Sequence, residues 1–403
     1  MMKISIPKNV KRIITTLEAN NHEAFIVGGC VRDILRHTTP TDWDITTSAT
    51  PSETKALFSR TIDTGIKHGT ITVLMDKTHY EVTTYRIDGE YKDNRRPESV
   101  TFTSNIEEDL SRRDFTMNAI AYNENQGFVD PFGGQEDIKN GVIRCVGNAR
   151  TRFAEDALRM LRAIRFAAVT NFNVDTEIIM AIKELKQNLL QVSPERIREE
   201  LGKLITAPHP QVLELLSSTG LLACVLQGRE YGGCIVNTIN QLKSCPPYEP
   251  MRLALFLAWA GENCENILKD LRLDSKTIKE TNQYISLLPT SLPTNHYEIK
   301  KLLRILPQEW FENLLTLKAI VNPLQENELE NIRQCAKDII EKGECFNLKN
   351  LAINGKDLMK INIPPGEVMG EILEKLLDAV MQDASLNNKS TLSALVGGMF
   401  SAV

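Results

Sequence analysis

Long apolar runs are missing from this 403-residue chain. The longest, Leu253–Ala260, falls well short of the ~20 residues that cross a bilayer. The opening stretch MMKISIPKNVKRIITTLEANN has neither an apolar core of signal-peptide length nor a small-residue cleavage site. The expectation is a soluble, cytoplasmic protein with no membrane partner. Cysteine pairs at metal-ligand spacing are missing as well. The eight cysteines are scattered from Cys30 to Cys345, none in a Cys-x-x-Cys pair and none with histidines at zinc-site spacing. Free, mostly buried thiols in a reducing compartment follow. There is no adjacent His-Asp pair, so a metal-dependent phosphohydrolase domain is not supported. Positive charge is not in excess either: the formal net charge is −5. A polyanionic partner would therefore have to meet a local basic patch. Arginines do cluster between Arg144 and Arg165.

Hydrophobic residues at 42% and charged residues at 25% are ordinary globular values. The length predicts two to four structural units. Up to about residue 146 the pattern is mixed. A helical period over Val10–Leu17 leads to strand-like runs at Ala24–Val27, Asp42–Thr46, Thr70–Asp76, Tyr80–Arg86 and Val100–Thr103. Between the last two, Ile87–Pro97 is polar and charged, with a turn-like Asp-Gly, and reads as a mobile loop. From Thr151 onward helical periods dominate. Phe153–Val169 reads as one helix, and Ser193–Ile205 as another with Ser-Pro at its start. The fold class is α+β: a mixed head followed by an all-helical remainder.

Chemistry concentrates in the head. In IVGGCVRDIL (26–35) an apolar strand meets Gly28 and Gly29 and then a helical pattern. Glycines there let backbone approach a phosphate, and Arg32 could pair with a triphosphate; a plain tight turn is the alternative. Next comes TDWDIT (41–46). Side chains alternate along a strand, so Asp42 and Asp44 share a face. Adjacent carboxylates repel unless cations lie between them, which is the arrangement of a two-metal phosphoryl-transfer site with Mg2+. An isolated Asp-x-Asp is also a pair of solvated strand-end carboxylates, but the preceding Gly-Gly tips this one toward metal. Glu81, in HYEVTTYR, is the candidate third carboxylate; a solvated edge-strand glutamate is the alternative.

Over Glu155–Val169 the only polar side chains are Glu155, Asp156, Arg159, Arg162 and Arg165, at spacings of three and four. On a continuous helix they form one winding stripe. Arginines on an internal stripe must be paired or hold an anion. One reading is an ion-pair ladder in which Glu155 and Asp156 neutralise Arg159. The other is a base reader. Cytosine and adenine each present an amino donor beside a ring-nitrogen acceptor, which Asp156 next to Arg159 would complement. Uracil and guanine present the reverse order and would leave charged groups unsatisfied, at ~1–3 kcal/mol or more each.

GGCVRD, DWDI, GIKHGT (65–70), DLSRRDFTMNAI (109–120), DPFGG (130–134) and EDALRMLRAIRFA (155–167), in that order, resemble the class II tRNA nucleotidyltransferases. These are the bacterial CCA-adding enzymes and their poly(A) polymerase relatives. LAINGKDLMKI (351–361) looks like a tail motif of the CCA-adding members. The resemblance implies a polymerase-β-like head (1–146), then an elongated series of helical neck (147–206), body (207–310) and tail (311–403). It implies metals on Asp42 and Asp44, and nucleotide contacts from Gly29, Arg32, Arg113, Asp156, Arg159, Arg162 and Arg165. It implies CTP and ATP as substrates and the acceptor end of tRNA as partner, gripped by backbone shape. In that family a loop in the region of Ile87–Pro97 separates full CCA addition from CC addition; here the loop carries Arg95 and Arg96. Arg196, Arg198, Lys203, Lys300, Lys301 and Arg304 are candidate RNA contacts, with a solvated helix face as the alternative for each. The rival activities are CC- or A-only addition, poly(A) synthesis, and RNA binding without catalysis.

Overall fold

In a computed structural model, residues 4–89, 99–323 and 326–400 are described. The chain divides into two compact units, one within residues 1–243 and 265–274, the other within 244–264 and 275–403.

The first unit opens with helix α1 (Lys8–Glu18), whose Val10, Ile13, Ile14 and Leu17 are buried at the spacing the sequence shows. Strand β1 (Ala24–Val27) is buried along its whole length and leads into helix α2 (Gly29–Leu35). Strand β2 (Ile45–Thr47), helix α3 (Pro51–Leu57) and strands β3 (Thr61–Gly65), β4 (Thr70–Met75) and β5 (Thr78–Thr84) follow. Strands β6 (Arg86–Asp88) and β7 (Val100–Phe102) pair with each other; helix α4 (Ile106–Ser111) and strands β8 (Ala121–Asn123) and β9 (Gly127–Val129) complete the run. Among the described residues the main sheet has seven strands in the order β3-β4-β5-β2-β1-β8-β9. β1 is antiparallel to both its neighbours, and β2 runs parallel to β5 with Ile45 beside Val82. The apolar members of the central strands pack with Tyr85, Leu110, Ala119 and Val146 beneath the sheet.

Two sequence expectations shift here. Ile87 and Asp88 belong to β6, because β-branched Ile87 pairs with Thr101. Beyond Gly89 the expected loop, residues 90–97 with Arg95 and Arg96, lies outside the described residues. The strand expected from Asp42 begins instead at Ile45, and the Asp44 carbonyl still accepts the Val27 N–H at 3.0 Å.

The junction of sheet, β6 and α4 is a single carboxylate. Asp109, fully buried, accepts from the Arg112 guanidinium at 2.7 Å, the Arg86 backbone N–H at 3.3 Å and the Thr46 hydroxyl at 3.3 Å.

After β9, helices α5 (Gly134–Asn140), α6 (Ala149–Glu155), α7 (Leu158–Thr170), α8 (Thr176–Leu185) and α9 (Pro194–Ile205) follow in the same unit. The expected single helix over Phe153–Val169 is two. Asp156 adopts φ −142°, ψ 104°, and its carboxylate accepts the Leu158 N–H at 3.1 Å, starting α7 afresh. A helix-starting Asp side chain competes with continuous helix, and here it wins.

The second unit is helical, with principal helices Glu249–Leu257, Ser275–Leu287, His296–Ile305, Gln308–Val321, Glu326–Glu341 and Glu367–Gln382. The LAINGKDLMKI segment is a packing element. Leu351, Ile353 and Leu358 enter a core with Ile372, Leu376 and Val380, while the Asn354 side chain caps Gly355–Lys360. No helix among the described residues is long and apolar enough to cross a membrane. All eight cysteines are free, and Cys234 is the exposed one.

Burial pushes the Asp109 carboxyl up, but Arg112, Arg113 and the Arg86 N–H outweigh it and hold it below the usual carboxylate range. A depressed folded value stabilises the fold above about pH 4, the unfolded carboxyl range, and is lost as pH falls through the folded value. Asp109→Ala should cost about 3–5 kcal/mol in urea unfolding near neutral pH, because buried guanidinium groups lose their counter-charge. It should also flatten the acid limb of the wild-type stability curve. An unchanged midpoint would remove Asp109 from this role.

Candidate active site

The carboxylate floor is set by strand register. Ile45 on β2 sits beside Val82 on the parallel β5, so one residue earlier Asp44 lies beside Glu81. Asp42, Asp44 and Glu81 line one cavity of about 560 Å³, together with Thr41, Trp43, Thr64, Thr72, Thr78, His79 and Tyr80. The carboxylates are open to this cavity, yet they feel one another. Burial and then Asp44 and Asp42 raise the Glu81 pKa; burial raises Asp44 too, with Arg113 opposing and Asp42 adding. A carboxylate whose pKa is lifted by its neighbours is short of positive charge. No three His, Cys, Asp or Glu side chains among the described residues form a ready-made metal cage. Mg2+ is commonly held by one or two carboxylates, with water and substrate phosphate supplying the rest. The donor set fits that style of binding.

Facing the floor is Arg113. Its guanidinium passes over Gly28: a Cβ there would lie 3.0 Å from Nη1, and Gly28 has φ +75°. Only glycine suits both demands. Arg113 is loosely held, with 3.5 Å contacts from Nη2 to Asp109 and from Nη1 to the Asn118 carbonyl, and its buried Nε has no partner. The Nη groups, so weakly engaged, keep hydrogens for a ligand.

Beyond it the arginines form a wall on short anionic ties. Arg32 donates to the Asn118 side chain at 2.8 Å and pairs with Asp33 at 2.8 Å. Asn118 in turn donates to Asp114 at 3.0 Å, and Asp114 accepts from Arg162 at 2.7 and 2.9 Å. Burial alone would raise Asp114, but Arg162, Asn118 and Arg159 hold it far below the usual range. Glu200, on α9 and 5% exposed, takes Arg165 at 2.8 Å and Arg162 at 3.3 Å. The guanidinium carbons of Arg32, Arg162 and Arg165 lie 5.1, 5.4 and 3.6 Å from the centre of the buried Phe166 ring. One aromatic ring thus gathers three cations.

The break at Asp156 splits the expected stripe. Glu155 ends α6, Asp156 sits in the bend, and Arg159, Arg162 and Arg165 lie on α7. Asp156 and Arg159 do not simply neutralise each other. Arg159 pairs with Glu155 at 2.6 Å and donates to the Arg112 carbonyl at 3.1 Å; Asp156 receives Arg196 at 2.7 and 3.2 Å. Arg196 is therefore the ion-pair partner of Asp156 and not a free charge on a solvated helix face. Lys300 is 2% exposed, committed to the Met381 carbonyl and Glu344, so it is withdrawn from RNA. Sequence reasoning missed Asp109, Asn118, Glu200 and Phe166. Only Glu200 left a signal: it falls on the apolar face of α9 with Ile197, Leu201 and Leu204.

The motif DPFGG is structural. Asp130 caps α5 through the N–H groups of Gly134 and Gln135, and a Cβ on Gly134 would lie 2.2 Å from the Thr116 carbonyl oxygen.

Comparison with known proteins follows the same division. Residues 24–144 match the Poly A polymerase head domain, 171–230 the probable RNA and SrmB-binding site of polymerase A, and 251–396 the putative tRNA nucleotidyltransferase domain 2. The CCA-adding enzyme of Geobacillus thermodenitrificans is 39% identical over 390 residues, covering 95% of this chain and 94% of that protein. That of Ligilactobacillus salivarius is 35% identical and covers 97% of each. The crystal structure of the Bacillus stearothermophilus CCA-adding enzyme in complex with CTP superposes with a TM-score of 0.84 at 31% identity, over 97% of each chain.

Glu200→Gln leaves Arg162 and Arg165 without their shared counter-charge. It should lower unfolding stability by about 3–5 kcal/mol, read as a reduced urea midpoint at neutral pH. A change below about 0.5 kcal/mol would mean that the wall is not held by Glu200.

Proposed function

The chain belongs to the CCA-adding tRNA nucleotidyltransferases, and we propose that it extends the 3′ end of tRNA by C, C and A taken from CTP and ATP. The observation that carries this reading is the meeting of a carboxylate floor, Asp42 and Asp44, with an arginine wall at Arg113. That is one place for a cation and a triphosphate together.

Mg2+ held by Asp42 and Asp44 would supply the Lewis acidity that activates the RNA 3′-hydroxyl and neutralises the departing pyrophosphate. The chain's own groups do the rest. Glu81, with its raised pKa, is suited to receive the proton of the attacking hydroxyl. The hydroxyl oxygen bonds to the α-phosphorus as the bond to the β-phosphate oxygen breaks. Arg113 meets the α-phosphate from beside Gly28 and Gly29. Arg32, Arg162 and Arg165, already gathered on Phe166, take the outer phosphates.

Base choice falls to Asp156 and Arg159. Arg196 and Glu155 fix these two side chains, and Asp156 Oδ2, bound to Arg196 Nη2 at 2.7 Å, keeps a lone pair for an amino group. Cytosine or adenine would place its amino group on Asp156 and its ring nitrogen on Arg159. Uracil or guanine would set acceptor against carboxylate. The change from C to A is assigned to the segment between β6 and β7, whose ends are tied by the Gly89 N–H to the Ser99 carbonyl at 2.9 Å. The neck (147–206) reads the nucleotide, and the body (207–310) and tail (311–403) take the acceptor end of tRNA by its backbone.

Purified protein with magnesium and tRNA transcripts ending before CCA, after C and after CC should extend each to CCA and stop. Stopping at CC identifies a partial enzyme, and a long A ladder a poly(A) polymerase. Asp42→Ala should lower the rate at least ~1,000-fold while tRNA binding persists; near-normal extension would contradict the metal assignment.

Asp156→Ala should narrow the preference for CTP over UTP by ~10–100-fold, the value of one mispaired buried group. Undiminished discrimination would place base reading elsewhere.

A further inference from the structure

The second unit carries a cluster that nucleotide transfer does not use. The Cys335 sulfur, on Glu326–Glu341, lies 3.2 Å from His296 Nδ1 at the start of His296–Ile305. His296 Nε2 lies 3.2 Å from both Glu344 carboxylate oxygens, and Lys300 Nζ lies 2.8 Å from Glu344. A carboxylate only accepts, so the neutral imidazole keeps its proton on Nε2 and turns the Nδ1 lone pair toward the thiol. Lys300, almost wholly buried, fixes the carboxylate that fixes the imidazole. Nucleophile, base and orienting acid are thus in sequence. Cys335 and His296 open on a cavity of about 520 Å³ whose walls also include Leu292, Thr294, Asn295, Asn331 and Ile332.

We propose that Cys335 is a reactive thiol that takes small-molecule disulfides, forming a reversible mixed disulfide. Burial first, and then Asp338 and Glu344, raise the Cys335 pKa, so the resting sulfur is a thiol and its proton leaves only during attack. His296 Nδ1 takes that proton as Sγ bonds to one sulfur of the disulfide. The old S–S bond breaks, and the departing thiolate recovers the proton from the imidazolium. Cys335 is oxidised and the leaving sulfur reduced, with no other co-reactant. Thiol–disulfide exchange develops charge only on sulfur. Acyl transfer would also need donors aimed at an oxyanion, so disulfides are the class this cluster fits with what it has.

The test treats the full-length folded protein with oxidised glutathione and follows each cysteine by peptide mass mapping. Cys234, exposed in the same chain, is the internal reference. Cys335 should gain the glutathionyl group faster than Cys234 despite being less exposed. His296→Gln should slow Cys335 by about tenfold or more while the Cys234 rate stays unchanged, which also reports that the fold is intact. The proposal is overturned if Cys335 reacts no faster than Cys234 in the wild type, or if His296→Gln leaves its rate unaltered.

Discussion

A guanidinium group taken out of water must find negative charge, and in the first unit that demand shapes the region around α7. Arg162 and Arg165 draw in Glu200 from α9, Arg162 draws in Asp114, and Asp114 reaches Arg32 through Asn118. These ties run between elements far apart in sequence, so they locate α2, α7 and α9 relative to one another. Breaking such a tie costs more than the pair ever contributes, because the stranded charge remains. Phe166 adds an uncharged anchor, letting three cations gather around one aromatic ring.

The carboxylate floor faces the opposite problem. Burial raises the pKa of Asp44 and of Glu81, and the neighbouring carboxylates add to it, Asp42 on Asp44 and both on Glu81. Arg113 is the exception, and its influence on Asp44 joins floor to wall. The junction depends on Gly28, whose missing side chain is the space Arg113 occupies. A ligand carrying phosphates toward the arginines and a cation toward the carboxylates would satisfy both surfaces at once. Catalysis of this kind rests mostly on such placement of charge before the reaction begins.

Much of this was legible in the residues. Strand runs with β-branched members gave β1, β4, β5 and β7 within a few residues, and Gly-Gly followed by Asp-x-Asp located the carboxylates. The continuous helix over Phe153–Val169 was not to be found, because apolar periodicity cannot register a helix that stops and restarts in phase; the Asp156 side chain decides it. The pairing of Arg196 was hidden for a related reason. A charge on an amphipathic helix looks solvated until its partner, here 40 residues earlier, is known. Asp109 and Asn118 were hidden in a motif recognised as a whole, where single roles depend on contacts across the sheet. Lys300 shows the limit of charge counting: a buried lysine held by a carbonyl and a carboxylate is indistinguishable in sequence from a surface one.

If floor and wall form one site, a crystal structure of this protein with Mg2+ and a non-hydrolysable CTP analogue decides the matter most directly. The α-phosphate should lie between Asp42, Asp44 and Arg113, the outer phosphates against Arg32, Arg162 and Arg165, and the cytosine edge on Asp156 and Arg159. A nucleotide bound with its phosphates away from Arg113, or with its base edge turned from Asp156 and Arg159, would contradict it.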